Sequence, residues 1–186
     1  VFRNGDSTEN KILTGKGKTI KNVKELINNE VQYPLLSGQI RLTLFSLDLA
    51  KKGIYPIIDT YNRDPSIGNL MQMAIVDGET FDLLTLKNYK KDNISLYLHD
   101  MIQQNANNGL MPHSDFTTFL YQYFKQGQDP YLPILKVNKD VIELSGFALF
   151  KKDKFVTNLP HKYNYIFKSL LESYEQGIHQ FKLDKG

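Results

Sequence analysis

The chain contains no cysteine. Disulfides and cysteine-ligated zinc are thereby excluded. The compartment stays open, because cytosolic proteins and many exported domains do without cysteine. No apolar run reaches the roughly eighteen residues that a membrane-spanning helix needs. No run of Lys or Arg forms a stripe: the net charge is +3 with a pI near 8.8, weak and dispersed along the chain. That balance gives no ground for nucleic-acid binding, and no strong basic patch is expected. No signal peptide is visible, and the sequence opens on Val1 rather than Met. A processed product or an excised fragment is the expectation, with any targeting segment or lipid attachment site upstream.

Motifs of catalysis are scarce as well. The four histidines, His99, His113, His161 and His179, are far apart, and none lies in an H-E-x-x-H pair. No G-x-S-x-G elbow presents a serine nucleophile. Gly15-Lys16-Gly17-Lys18-Thr19 precedes a helical pattern but lacks the G-x-x-x-x-G-K-[ST] spacing that wraps phosphate, so it reads as a turn with solvated lysines. Asp48, Asp59, Asp64, Asp129 and Asp140 stand where an aspartate caps, turns or solvates. Tyrosine and phenylalanine number eleven each. Stacking on sugars or single strands would use such rings, yet most fall on helical stripes and read as core.

What is present is a globule. With 186 residues, 41% hydrophobic and 23% charged, the chain can bury a core as one domain or two small ones. The organising stretch is Tyr33–Ser46. Ile40, Leu42 and Leu44 alternate with Gln39, Arg41 and Thr43, which predicts a strand over Gln39–Phe45 with those three apolar residues on the core face. Lys11–Gly17 reads as a short strand ahead of it. Thr19 caps a helix bearing Ile20, Val23, Leu26 and Ile27, expected to pack against the organising strand. Ser46 opens a short helix that Gly53 stops. Ile54, Ile57, Ile58 and Tyr61 form a helical face ended by Asp64-Pro65. Leu70–Val76 is a strand apolar on both sides.

Helices follow from about Glu79 to Leu86 and over Ile94–Ile102, then a break at Asn105–Gly109. Ser114 is expected to cap a helix with Phe116, Phe119, Leu120, Tyr123 and Phe124 on its stripe. Leu132–Val137, Val141–Phe150 and Lys154–Thr157 form a meander with turns at Asn138-Lys139-Asp140 and Lys151-Lys152-Asp153, and Pro133 marks a strand start or an edge. Tyr163, Ile166, Phe167, Leu170, Leu171 and Tyr174 predict the most regular amphipathic helix, and Ile178–Leu183 a last strand.

Four segments in order resemble the Ger(x)C family, the C subunits of bacterial spore nutrient-germinant receptors. Gly15–Ser46 is similar to the family's G-E-G-x-T-I entry, helix and LYxGHLRV strand; Leu36, Gly38, Ile40 and Arg41 match, with Gln39 in place of the usual His. Ala50–Ile54 and then Arg63-Asp64-Pro65 resemble the LRDPEIR block. Gly127–Val137, with Asp129-Pro130, resembles GxDPxLPxI. Ile142–Leu159 resembles the block around GlAlFkddk, where Gly146, Ala148, Phe150 and Asp153 match and Thr157-Asn158 replaces the usual Gly.

The resemblance implies a non-enzymatic, lipid-anchored subunit on the outer face of the spore inner membrane. It implies assembly with A-type and B-type membrane subunits, and membrane attachment only through a lipid anchor missing from this chain. It also implies that this chain is the N-terminal region, with the first strands and a C-terminal domain absent. No catalytic, cofactor-binding or metal-binding residue comes with it; Gly38, Arg41, Arg63, Asp64, Pro65, Asp129, Pro130, Gly146 and Phe150 are motif positions expected to be structural.

The expected fold is α/β of the mixed α+β kind: central mixed β-sheets flanked by amphipathic helices, in one or two small lobes. Residues 1–108 would form an N-terminal α/β lobe, and 109–186 a second lobe of helix, β-meander and helix. The expected function is a germinant-receptor subunit acting through protein contacts, with no cofactor and no nucleic acid. Two rivals stand beside it. A small-molecule-binding module would hold its ligand in a cleft near Asn105–Pro112. A hydrolase would need a strained nucleophile with a base in reach.

Overall fold

The computed structural model describes residues 11–86 and 93–173. The expected strand tail Val1–Arg3, the charged loop Lys87–Asp92, Tyr174, Gly177, His179 and the expected strand Ile178–Leu183 lie outside the described residues.

One five-stranded sheet runs in the order β1-β2-β3-β4-β5. Its strands are β1 (Leu42–Ser46), β2 (Gln72–Asp77), β3 (Tyr131–Asn138), β4 (Val141–Lys151) and β5 (Lys154–Pro160). The first three are parallel, because helices carry the chain back between them; the last two are antiparallel, joined by tight turns. The architecture is the mixed α/β one that the order of elements predicts. β2 precedes residue 108 and β3 follows it, and the two pair directly at Ile75–Ile134, Val76–Leu135 and Asp77–Lys136.

Helices cover both faces of this sheet, so it builds two cores. On one face α2 (Leu47–Lys52), α3 (Tyr55–Asn62) and α6 (Phe116–Phe124) bury Ala50, Ile54, Ile58 and Phe119 against Phe45, Met73, Ile75 and Phe150. On the other, α4 (Thr80–Leu84), α5 (Ile94–Asn107) and α7 (Asn164–Leu171) bury Leu83, Leu98 and Ile102 against Ala74, Val76, Leu135 and Phe147. β2 is therefore apolar on both sides, as its unbroken Met73–Val76 run requires.

Local chemistry sets the helix ends. The Ser46 hydroxyl accepts from the Leu49 N–H at 3.3 Å, and α2 ends at Gly53, whose φ of +115° is costly for any residue with a Cβ. Thr19 caps α1 (Ile20–Asn28) by accepting from the Asn22 N–H. The β3–β4 turn uses Lys139 and Asp140, both at positive φ, the geometry that two-residue hairpins favour.

Several expectations are corrected. Lys11–Gly17 is not a strand; it lies against α1, with Gly15 and Gly17 beside Val23. α1 buries none of its residues, so it does not pack into the sheet as expected. The organising strand starts later, at Leu42, after a 3-10 turn over Ser37–Gln39. Leu42 and Leu44 belong to the second core, but Ile40 packs on the first, and Phe45 (2% exposed) is the deepest residue of the strand. Alternation marks one face only when the other meets water, and here both are covered.

Asp115, not Ser114, caps α6, accepting from the Thr118 N–H at 2.7 Å; the Ser114 hydroxyl is buried with no hydrogen-bond partner among the described residues. Pro133 lies inside β3 between two neighbours, tolerated because pairing with β2 begins one residue later, at Ile134. In α7 the buried side holds Asn164 and Lys168 together with Phe167 and Leu171, while Tyr163, Ile166 and Leu170 (79% exposed) face outward.

Candidate functional site

The segments singled out in the sequence meet at one end of the sheet, where β1, β2 and β3 begin and β4 ends. Two junctions form there. At the first, a Cβ on Gly38 would stand 2.8 Å from the Ser66 carbonyl oxygen, so only glycine lets the Ser37-Gly38 turn approach the loop after α3. Asp64 Oδ1 ties that loop by accepting from the Ser66 hydroxyl at 2.6 Å and the Ser66 N–H at 3.0 Å. These two bonds, the hydroxyl first, hold its carboxyl below the usual carboxylate range, with Ser37 and Lys24 assisting. Lys24 in turn donates to the Ser37 hydroxyl at 2.6 Å. Pro65 sits in this loop just beyond α3. Arg63 is not drawn in: its ε N–H donates to Asp59 at 2.8 Å on the exposed side of α3. Arg41 is exposed too, and only its backbone takes part, accepting from the Gln72 N–H at 2.9 Å.

The second junction joins three segments. α2 leaves the end of β1 and crosses the first face to the β4–β5 turn at the opposite edge of the sheet. There the Ile54 N–H donates to the Asp153 carbonyl at 3.1 Å and the Tyr55 N–H to Asp153 Oδ2 at 3.2 Å. Asp153 thus supplies from afar the cap that Ile54 cannot give to α3. Asp129 Oδ1 accepts from the Lys152 N–H at 3.3 Å, and the Pro130 carbonyl from the Phe150 N–H at 3.0 Å. Phe150 is buried, edge-on to Phe119 at 5.7 Å. Gly146 stands apart, within β4 at φ +141°; a Cβ there would run into the Leu159 carbonyl oxygen.

Nothing in the residue pattern signals the polar network on the second face. The Lys168 ammonium, with the residue only 7% exposed, donates to Glu172 Oε2 at 3.0 Å and reaches the Ala106 and Met111 carbonyls at 3.5 Å. Glu172 Oε1 accepts from the His113 N–H at 2.7 Å. Burial pushes the Glu172 carboxyl up, but the His113 N–H and the Lys168 ammonium outweigh it, and the net shift is downward. The Tyr131 hydroxyl donates to the His113 carbonyl at 2.9 Å, and burial above all drives its phenol far above the ordinary range. This network fastens α7 to the segment Asn105–Pro112, near which the rival binding-module reading puts its cleft; Ala106, Met111 and Pro112 are buried there.

An opening of about 300 Å³ lies along the outer edge of β1, lined by Leu42, Leu44, Tyr61 and Leu84 with the hydroxyls of Thr80 and Ser95. Its one ionisable side chain is Tyr61, whose phenol burial pushes up. That lining can hold an apolar group but offers no nucleophile with a base. Among the described residues no three His, Asp or Glu side chains gather as a metal site, and no helix is long and apolar enough to cross a membrane.

Residues 2–137 match the family described as the spore germination protein N-terminal domain. The chain is 36% identical over 183 residues to the spore germination protein GerQC of Bacillus cereus, covering 98% of this chain and 51% of that protein. It is 20% identical over 151 residues to the putative spore germination protein YfkR of Bacillus subtilis (strain 168), covering 77% of this chain and 38% of that one. The chain thus spans about half the length, or less, of these relatives. No solved structure matches. With the family matched over most of its length and one relative aligned along nearly all of it, the chain belongs to the Ger(x)C spore germination proteins, as their N-terminal region.

Proposed function

We infer that the chain is part of a non-enzymatic subunit of a spore nutrient-germinant receptor. It is required for germination in response to nutrients and works through contacts with A-type and B-type membrane subunits. A lipid anchor outside this chain holds it at the outer face of the spore inner membrane. The observation that carries the reading is the near-complete alignment with a spore germination protein. The chemistry of the chain supports it. The two junctions use their polar groups on backbone amides and neighbouring hydroxyls, and the apolar opening has no acid–base pair. Exposed large apolar side chains, such as Leu36 and Leu170, suit a protein whose work is contact with other proteins.

The test is an in-frame deletion in a strain without a paralogous receptor. Spores of the deletion strain fail to germinate with nutrients yet germinate when triggered downstream of the receptor. Normal nutrient germination would sink the reading. A second reading, a small-molecule-binding module, draws on the opening at the β1 edge. It expects Leu44→Trp, which fills that opening, to raise the nutrient concentration needed for germination while subunit assembly is unchanged.

A further inference from the structure

We propose that the face around the β4–β5 turn docks the protein directly onto an anionic lipid bilayer. The sequence disperses its positive charge; the fold gathers it. Lys51 and Lys52 end α2, Lys151, Lys152 and Lys154 flank the β4–β5 turn, and Lys125 follows α6. The second junction holds these three stretches together. The Ile54 N–H bonds the Asp153 carbonyl at 3.1 Å, and the Cβ position of Gly53 lies 3.6 Å from Lys154 Cγ. The Tyr55 and Tyr123 rings stack at 4.4 Å, bringing in the end of α6.

All six lysines are exposed. The three aspartates among them are already engaged: Asp48 with Lys51 at 3.1 Å, Asp129 with the Lys152 N–H and Asp153 with the Tyr55 N–H. The local excess of positive charge therefore equals the +3 of the entire chain, and the rest of the molecule is balanced. Among the described residues no ion pair holds Lys52, Lys125, Lys151, Lys152 or Lys154.

Aromatic side chains sit within this ring of charge. Phe124 is 62% exposed and edge-on to Tyr55 and Tyr123, and the Lys125 ammonium stands 4.8 Å above the ring of the exposed Tyr121. Lysines for lipid phosphates beside tyrosine and phenylalanine for the headgroup layer are the composition of an interfacial surface. The patch contains no arginine, the residue whose rigid fork suits discrete carboxylates; mobile ammonium groups suit a diffuse field of anions. The turn itself points the same way. Lys152 takes φ +58°, a conformation that favours glycine or asparagine, and carries its charge at the tip of the hairpin. The inference does not rest on the receptor reading; it adds a direct membrane contact, against the expectations that a lipid anchor is the only attachment and that the chain has no strong basic patch.

The test is co-sedimentation of the 186-residue chain with vesicles of phosphatidylcholine alone and of phosphatidylcholine mixed with phosphatidylglycerol, at low and high salt. Binding is expected to the mixed vesicles at low salt, to be lost at high salt, and to be absent with phosphatidylcholine alone. Lys52→Glu with Lys152→Glu, both exposed, lowers it at least about tenfold. Phe124→Ser weakens it but keeps the salt dependence. Lys139→Glu with Lys162→Glu, at the other end of the sheet, leaves it unchanged, and circular dichroism confirms that each variant is folded. No binding to the mixed vesicles, equal binding to both kinds, or equal loss in the two charge-reversed pairs overturns the proposal. Binding of polyglutamate without vesicle binding also overturns it and gives the face to an acidic protein.

Discussion

Gly53 and Asp153 fit together so closely that the Asp153 carboxylate oxygen lies 2.6 Å from where a Cβ on Gly53 would stand. One residue ends α2 with a positive φ; the other caps α3 and turns β4 into β5. Gly53→Ala must therefore pay for backbone strain and displace the carboxylate, for about 1–3 kcal/mol. Asp153→Ala removes the cap for about 0.5–2 kcal/mol. The two changes are not additive: Gly53→Ala costs less in the Asp153→Ala background, because the clash is gone. Urea unfolding of the four proteins measures the coupling, and strict additivity would show that the two side chains do not compete for this space.

Phe45 and Leu42 rank the two faces of β1. Phe45→Ala is expected to cost about 3–5 kcal/mol, as for a large ring lost from a closed core. Leu42 is half-buried beside the open edge, and Leu42→Ala is expected to cost about 1 kcal/mol. The reverse order in chemical unfolding would place the closed core on the other side of the strand.

Where the sequence was legible, the signal was local. Ser46 and Gly53 bracket α2 by their own hydrogen bond and φ, and Lys139-Asp140 forms its turn within four residues. Where it was not, the deciding partner lay far along the chain. Leu42 and Leu44 looked like the only core face of β1 because Phe45 has no meaning until α2, α3 and α6 cover it. The apolar arc of α7 predicted Tyr163, Ile166 and Leu170 inside. The helix is instead turned toward Asn164 and Lys168, because Lys168 reaches Glu172 and the carbonyls of Ala106 and Met111. The candidate junctions were half visible. Gly38, Asp64, Asp129 and Phe150 stood out as motif positions, but nothing in their spacing pairs Ser37-Gly38 with Ser66, or Asp153 with Tyr55. The lysine face was invisible for the same reason, since 51–52, 125 and 151–154 adjoin only in the fold.

Gly146 tests the irregular step between β3 and β4. Pairing runs Gly146 with Ile134 and then Leu144 with Leu135, so one residue of β4 is extra, and Gly146 absorbs the bend at φ +141°. A Cβ would meet the Leu159 backbone, which cannot swing aside without breaking the β4–β5 ladder. Gly146→Ala is expected to cost more than about 4 kcal/mol, at the severe end for a point change. Soluble protein with an unfolding midpoint near that of the parent would refute this account.

Acid should loosen α7 through Glu172. Its carboxyl lies below the ordinary glutamate value in the folded protein, held by the His113 N–H and the Lys168 ammonium against the opposing effect of burial. The stability it contributes is therefore fully present above the ordinary glutamate value and is lost as pH falls through the lower folded one. Glu172→Gln keeps an acceptor for the His113 N–H but leaves the Lys168 ammonium with backbone carbonyls alone. It is expected to cost about 1–3 kcal/mol at neutral pH, less than for a fully buried pair because Glu172 is partly exposed. The loss of stability on acidification is expected to be shallower in Glu172→Gln than in the parent. The His113 ring lies 3.3 Å from both Glu172 oxygens, so the comparison is repeated in a His113→Asn background to isolate the carboxyl. Lys168→Met added to Glu172→Gln recovers part of the cost, because an apolar side chain of similar length needs no counter-charge. Parallel acid profiles for parent and Glu172→Gln, in both backgrounds, would show that α7 is held by Phe167 and Leu171 alone.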